Sequence, residues 1–494
     1  MVSLHLTVAA ALGGTAAAAY YPPILDPAPY TTWTGSYNGS KVAEVSVPFT
    51  NIDGEADSQD YARLDLVGDA AARGFAHGYL MHKDIEELTV HALPKFYRMQ
   101  VQDLFDGLPS PIGKGLARAA VELGTFAPLP RKALGRVPAR LLPAPRPPSH
   151  RPPSPVGLEL KAPGAFDKAL SAVFAKQEKY ISQANMDELH GIADGMCAAK
   201  TLADASQECD SDDWFDKIAR FNMIPELVRM SCTVIGGWGP ATQNGALFQV
   251  RALDFGASPL ATFTTLAVHR DASGAPLFAS VSFPGFVGVV TALSPKIGLS
   301  EKVWETYEGT GLQPGSYDGE AVVMVMRDAV ENAASREDAE SMFDSAQRTW
   351  AVWLGVGGAE DQILDVVQYK QDSTTVQTDQ TLPDVTLQPK MDSLAYVDKH
   401  PQPSKSTPDS DDYLPNLLQA RYGNLTAEAM VEVVAGHETG DIQVAFYDWT
   451  PDKERLLFSI GKVDAKTTFG PENHGKGCYR AFSEFSLTDL WAGN

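Results

Sequence analysis

Cys232 opens the apolar run Cys-Thr-Val-Ile-Gly-Gly-Trp-Gly239, and a second run, Ala246 to Phe255, carries Arg251 and Asp254 near its end. A thiol, a permanent cation and a carboxylate are the parts of a nucleophilic acyl-transfer site. The thiolate attacks a carbonyl, the guanidinium holds negative charge through a rigid fork of donors, and the carboxylate orients a positively charged base. A free thiol has a pKa near about 8.5 and stays mostly protonated at neutral pH, so it needs a proton acceptor. If Cys232 headed a chain, its own α-amine, with a pKa of about 7.7–8.0, would be the nearest one. It would take the thiol proton and later return it to a leaving amine. That arrangement requires a cut between Ser231 and Cys232. Thr233 or backbone N–H groups would supply donors to the developing oxyanion. Other chemistries lack their residues. The chain has no Gly-x-Ser-x-Gly elbow, no Gly-x-x-x-x-Gly-Lys-Ser/Thr loop, no Cys-x-x-Cys and no His-Glu-x-x-His. Neither a metal centre nor a cofactor is expected.

Two strands joined by a hairpin must position these groups. Ser231–Gly237 and Ala246–Phe255 flank Asn244-Gly245, a strong hairpin signal. A tight two-residue turn there sets Cys232 opposite Ala257. A wider loop centred near Thr242 sets it opposite residues 251–254, and the proposed contact needs that looser register. A second hairpin is expected from Leu260–Arg270 and Pro276–Phe283, with further strands over Trp350–Gly355, Ile363–Lys370, Ile442–Trp449 and Glu454–Ile460. Helical spacing covers about 61–105, 166–199, 214–229 and 319–347, the last with a second start at Ser335. Helices therefore cluster before Cys232 and strands after it, a segregation that suits an α+β fold of two facing sheets covered by helices.

The N-terminal residues Leu4 to Ala19 form a short apolar stretch ending in small side chains, the pattern of a signal peptide over 1–19. Sequons at Asn38-Gly-Ser40 and Asn424-Leu-Thr426 fit glycosylation on a secreted or lysosomal-type lumenal route. Residues 109–163 hold 13 of the 34 prolines and nine Lys+Arg against two acids, so no regular element is expected there. This segment reads as an exposed basic insertion, able to touch a membrane surface transiently. Four cysteines are too few for a disulfide scaffold in 494 residues. Cys197 and Cys209 are spaced to close one small loop, leaving Cys478 unpaired or bonded to either of them.

The Cys232 hairpin resembles the N-terminal-nucleophile (Ntn) hydrolases of the isopenicillin N acyltransferase, acid ceramidase and choloylglycine hydrolase group. In that family a strand starting Cys-Thr is followed by Gly-Arg-Asn-x-Asp-Phe/Trp, against Cys232-Thr233 and Val250-Arg-Ala-Leu-Asp-Phe255 in this chain. The resemblance extends to Arg73-Gly-Phe-Ala-His-Gly78, Glu188-Leu-His-Gly-Ile-Ala-Asp-Gly195, Asn222-Met-Ile-Pro-Glu-Leu227, Phe283-Pro-Gly-Phe-Val-Gly288 and Ser300-Glu-Lys-Val-Trp304. It departs at Val250 and Ala252, where the family carries Gly and Asn. Val397-Asp-Lys-His400 stands about where the family has Thr-Asn-His or Thr-Asn-Tyr, which makes His400, with Thr233, a secondary oxyanion or substrate candidate. The resemblance implies a four-layer αββα sandwich and autocatalytic cleavage into an α chain of 20–231, read as helical, and a β chain of 232–494. It further implies Cys232 as nucleophile, Arg251 as holder of substrate or thiolate charge, and Asp254 as acceptor for the new α-ammonium.

The formal net charge of −22 argues against nucleic acid, because a phosphate-backbone binder needs a basic face. Mean hydropathy is −0.16, and beyond the N-terminus no apolar run reaches the roughly 18 residues of a membrane span. The expected partner is a small N-acyl amide or lipid, such as a ceramide-like compound or N-acyl amino acid, cleaved through a thioester. A phospholipase B-like ester hydrolase on the same fold, an acyltransferase variant and a non-catalytic lumenal glycoprotein are the competing readings.

Overall fold

The computed structural model describes residues 21–97, 165–206, 208–227, 231–256, 258–304, 317–349, 351–382, 391–399, 413–464, 468–470 and 473–493. The segment 1–19 read as a signal peptide and the Pro-rich insertion fall outside these residues, as do His400 and Trp350.

Two sheets form the centre. One runs Ile24–Leu25 (β1), Phe482–Ser486 (β17), Arg455–Ile460 (β16), Gln443–Asp448 (β15), Gly245–Asp254 (β6), Ser231–Gly239 (β5) and Leu394–Val397 (β14). The other has ten strands. They run Thr374–Gln377 (β13), Leu364–Tyr369 (β12), Val352–Gly358 (β11), Ile297–Val303 (β10), Thr291–Leu293 (β9), Pro276–Ser282 (β8), Thr265–Arg270 (β7), Ala56–Val67 (β4), Ser40–Thr50 (β3) and Thr31–Tyr37 (β2).

The packing of side chains between elements shows the layers. Leu266, Val268, Val281, Trp353 and Val366 of the ten-stranded sheet meet Leu247, Ala445, Tyr447, Leu456 and Phe458 of the other, closing a dry sheet-on-sheet core. The outer face of the seven-stranded sheet, through Ile235, Val250, Val444 and Phe446, is covered by Leu414–Gln419 (α8) and Ala427–Gly436 (α9). On the far side of the ten-stranded sheet lie Ala70–Glu86 (α1), Ala165–Gln177 (α2), Gln183–Ala203 (α3), Ser211–Asn222 (α4), Ile224–Leu227 (α5), Val322–Asn332 (α6) and Arg336–Ser345 (α7). A last helix, Leu487–Ala492 (α10), tucks Leu487 and Leu490 into the edge of the sheet-on-sheet core. The expected α+β, αββα arrangement is present.

The glycine-rich flanks of the sequence resemblance acquire a physical role here. Gly74 and Gly78 of α1 face Gly191 and Gly195 of α3 so closely that a Cβ on Gly78 would lie 2.0 Å from the Ile192 carbonyl oxygen. The contact is sealed by buried charge: Glu188 of α3 accepts from Arg327 of α6 at 2.6 Å, and Arg73 of α1 pairs with Glu331 of α6 at 2.7 Å.

One expectation is corrected. The region before Cys232 is not helical throughout, because residues 24–67 form β1 to β4 and supply three strands of the larger sheet. Helical spacing read from about residue 61 begins only at Ala70, where Asp69 caps the helix by accepting from the Ala72 N–H at 2.9 Å. Ala62–Val67 instead pairs in parallel with Thr265–Arg270. Strands covered on both faces lose the simple apolar-polar alternation, and a short apolar run of that kind mimics helical spacing. Downstream, the expected hairpins and strands appear within a few residues of their predicted bounds. Ser335 caps α7 by accepting from the Asp338 N–H, as its spacing predicts.

Candidate active site

The hairpin takes the wider of the two anticipated loops. The last pair before the turn is Gly239 with Gly245, a bulge follows, and the ladder then sets Ser231 opposite Asp254, Cys232 opposite Leu253 and Val234 opposite Arg251. Asn244 stabilises the loop by accepting from the Ala246 N–H at 3.1 Å, and Gly239 and Gly245 take the left-handed backbone that the turn demands.

Side chains alternate across a sheet, so Cys232, Val234, Arg251 and Leu253 share one face while Thr233, Ala252 and Asp254 share the other. Arg251 is fully buried. Its Nη2 donates to Cys232 Sγ at 3.2 Å and to Glu301 Oε2 at 3.3 Å, and its Nε donates to the Glu301 carbonyl oxygen at 3.3 Å. The thiol points at Glu301 Oε2, 3.9 Å away. Among the described residues, the buried Arg251 Nη1 has no hydrogen-bond partner. Burial pushes the Cys232 thiol up to about 12 against the pull of the Arg251 charge. Burial also raises the Glu301 carboxyl, with Arg251 opposing. The site therefore holds a protonated thiol within reach of a carboxyl group and a fixed cation.

Asp254 lies on the opposite face and makes no hydrogen bond to Sγ. Its carboxylate accepts from Thr439 Oγ1 at 2.7 Å and from the Gly440 and Asp441 N–H groups at 2.9 and 3.3 Å. What it faces across the ladder is Ser231, on the other side of the peptide bond that a maturation cut would break. Thr233 is equally committed to that face: its hydroxyl is hydrogen-bonded to Thr439 Oγ1 at 2.8 Å and accepts the Lys399 N–H at 3.2 Å. Its side chain lies on the face of the sheet opposite Cys232. Ser231 Oγ donates to the Lys399 carbonyl oxygen at 3.1 Å.

Glu301, Thr439 and Asp441 are the participants that sequence reasoning missed. The sequence offered Glu301 only within the Ser300–Trp304 stretch of the resemblance, with no role of its own. The available signal was its position with Lys302 in the strand Ile297–Val303, whose seven residues are all buried, since a buried charge requires a partner. His77 has a scaffolding place instead. Its Nε2 accepts the Gly285 N–H at 3.0 Å, and burial lowers its pKa to about 4, which keeps it neutral. Cys197 of α3 and Cys209, in the loop before α4, form a disulfide, while Cys232 and Cys478 are free and buried. Asn38, in the turn between β2 and β3, and Asn424, just before α9, are both exposed. Among the described residues no helix is long and apolar enough to cross a membrane.

No protein-family model matches the chain. It is 28% identical over 447 residues to protein dcd1B of Dictyostelium discoideum, covering 88% of this chain and 76% of that one. It is also 28% identical over 312 residues to protein dcd1A of the same organism, covering 60% of this chain and 65% of that one. Among solved structures it is similar to a Caenorhabditis elegans N-acylethanolamine-hydrolyzing acid amidase (NAAA) ortholog, with a TM-score of 0.33 and 18% identity, covering 45% of this chain and 94% of that one.

Proposed function

We propose that the chain is a hydrolase of the N-terminal-nucleophile type, which matures by cutting its Ser231–Cys232 bond and then cleaves a linear amide carrying a fatty acyl group. The observation that carries this reading is the buried Arg251 guanidinium, which places Nη2 3.2 Å from Cys232 Sγ and, among the described residues, leaves Nη1 without a partner. A buried N–H left unpaired costs roughly 1–3 kcal/mol, a cost offset when an oxyanion or thiolate takes the bond.

Maturation then proceeds as an acyl shift. Cys232 Sγ attacks the Ser231 carbonyl carbon while its proton passes to Glu301, whose Oε2 stands 3.9 Å away. The C–N bond breaks, the departing Cys232 nitrogen takes up a proton, and water hydrolyses the thioester to a Ser231 carboxylate. In the mature site the free α-amine accepts the thiol proton, and the thiolate attacks the substrate amide. The ammonium returns the proton to the leaving amine, and water resolves the acyl-enzyme thioester. Asp254, opposite Ser231, accepts hydrogen bonds from the ammonium form. Export through the signal peptide, with glycans on exposed Asn38 and Asn424, places this activity in a secreted or lysosomal-type lumen.

N-terminal sequencing of the purified protein, with hydrolysis assays on an N-acyl amide and a glycerophospholipid, tests the reading. A fragment beginning at Cys232 and release of fatty acid from the amide are expected. An active but uncut chain, or release from the phospholipid alone, would contradict it.

The cut also has a structural consequence. Cys197 and Cys209 both lie in the first fragment and the free Cys232 and Cys478 both lie in the second, so no disulfide joins the two. The fragments are held by the β4–β7 ladder, the β1–β17 pairing and the ion pairs of Arg73 with Glu331 and of Glu188 with Arg327. They should co-elute on native size-exclusion chromatography and separate on a denaturing gel without reductant. Two fragments that resolve only after reduction would show a bond this arrangement does not contain.

A further inference from the structure

The geometry points to Asp441 as a positioning residue of the same site: with Asp254 it forms a paired anionic seat for the α-ammonium freed at Cys232. The inference rests on the proposed cut and goes beyond it by adding a second carboxylate on another segment of the chain.

The two carboxylates hold each other's backbone. Asp254 Oδ1 accepts the successive N–H groups of Gly440 and Asp441. In return, Asp441 Oδ1 accepts the Phe255 N–H at 2.8 Å and Oδ2 the Gly256 N–H at 2.9 Å. Successive amides aimed at one anion make a concave nest, and the left-handed residues that curl them inward are present on both sides: Glu438 (φ 53°), Gly440 (φ 92°) and Gly256 (φ 69°). Gly440 admits no side chain, because a Cβ would come within 2.1 Å of Val444 Cγ2. Each carboxylate thus fixes the turn that carries the other, and moving Asp441 moves Asp254.

The charge around the pair is unbalanced. Facing it are Lys399 after β14, with Nζ 4.0 Å from Asp254 Oδ1, Glu438 on the same segment as Asp441, and Lys476 with Cys478 at the turn Gly477–Tyr479. Lys399 Nζ also donates to the Glu438 carbonyl oxygen, and Lys476 pairs with the Glu438 carboxylate at 3.1 Å. Among the described residues, the two carboxylates therefore share one partly engaged ammonium, and the cation produced by the cut completes the set. Burial, then the charge of Asp254, pushes the Asp441 carboxyl up to about 7 in the uncut chain. A folded pKa raised above the unfolded one stabilises below the unfolded value and loses that contribution as pH rises through the folded one. The window here runs from about 4 to about 7. An ammonium in the seat draws Asp441 back toward ionisation and flattens the curve.

Thermal midpoints across that pH range test the seat in three proteins: the mature protein, uncut Cys232→Ala, and Cys232→Ala with Asp441→Asn. The uncut single variant should lose stability as pH rises through the window, the double variant should lack that slope, and the mature protein should show less of it. In the mature enzyme, Asp441→Asn should lower kcat by roughly ten- to a hundredfold with KM held within about twofold, the mark of a displaced catalytic group rather than lost substrate contact. Superimposable stability curves for the two uncut variants, or an unchanged kcat, would overturn the seat while leaving a cut chain and its nucleophile standing. A wild-type chain that never begins at Cys232 overturns the reading beneath it.

Discussion

Cys232→Ala is expected to remain one polypeptide and to lose amide hydrolysis by at least about ten-thousandfold, because in the proposed mechanism the same sulfur makes the maturation cut and carries the acyl group. Loss of both events in one variant is the diagnostic feature. A residue that served catalysis alone would leave the cut intact, and one that served folding alone would lower both in proportion to the folded fraction. The substitution removes one atom from a fully buried position in the core that α1, α3 and the ten-stranded sheet share, so a stability cost of only about 1–2 kcal/mol is expected. Intact mass reports the cut, a urea titration reports the fold, and fatty-acid release reports the chemistry. A cut Cys232→Ala chain would remove the thiol from the mechanism.

Arg251→Met should have the second-largest effect, and its physics differs. Arg251 and Glu301 are a buried ion pair with an Nη2–Oε2 distance of 3.3 Å, both almost without solvent contact. Removing the cation leaves the Glu301 carboxylate desolvated and unpaired, at a cost of about 3–5 kcal/mol. Hydrolysis falls further, by roughly a hundred- to a thousandfold in folded protein, through loss of the donor beside the sulfur. Adding Glu301→Gln removes the stranded charge, so the double variant should regain most of the lost stability and none of the activity. This separation of stability from chemistry is the check. A double variant no more stable than Arg251→Met would show that the two side chains are not coupled, and recovered hydrolysis would show that Arg251 acts only through folding.

Much of the catalytic arrangement was legible in the residues. The Cys232 strand, its hairpin partner and Arg251 follow from apolar runs around Asn244-Gly245, because a hairpin is a local object whose partners lie close in sequence. The required register was legible only as one of two options, since loop width decides it and Asn244-Gly245 alone suits the tighter turn. Asp254 pairs with Ser231 across the ladder and lies on the face opposite the sulfur. Its spacing of three from Arg251 reverses its face, and that reversal is visible only once the ladder is known.

The early strands were missed for a related reason. Residues 40–67 pair partly with each other and partly with β7, about 200 positions later, as the Ala62–Thr265 pairing shows. No local pattern announces a partner at that distance. Glu301 reaches Cys232 from the facing sheet, and Asp441 reaches Asp254 from the strand region after α9, each through contacts that the chain closes only on folding.

Residue order by itself therefore established the Cys232 hairpin, the arginine that meets its thiol and the α+β class, all properties of short segments or of composition along the chain. Tertiary structure decided which face each group occupies, which carboxyl meets the thiol and which faces Ser231 across the ladder. Those outcomes depend on sheet register and sheet-on-sheet packing, where a shift of one residue exchanges the two faces.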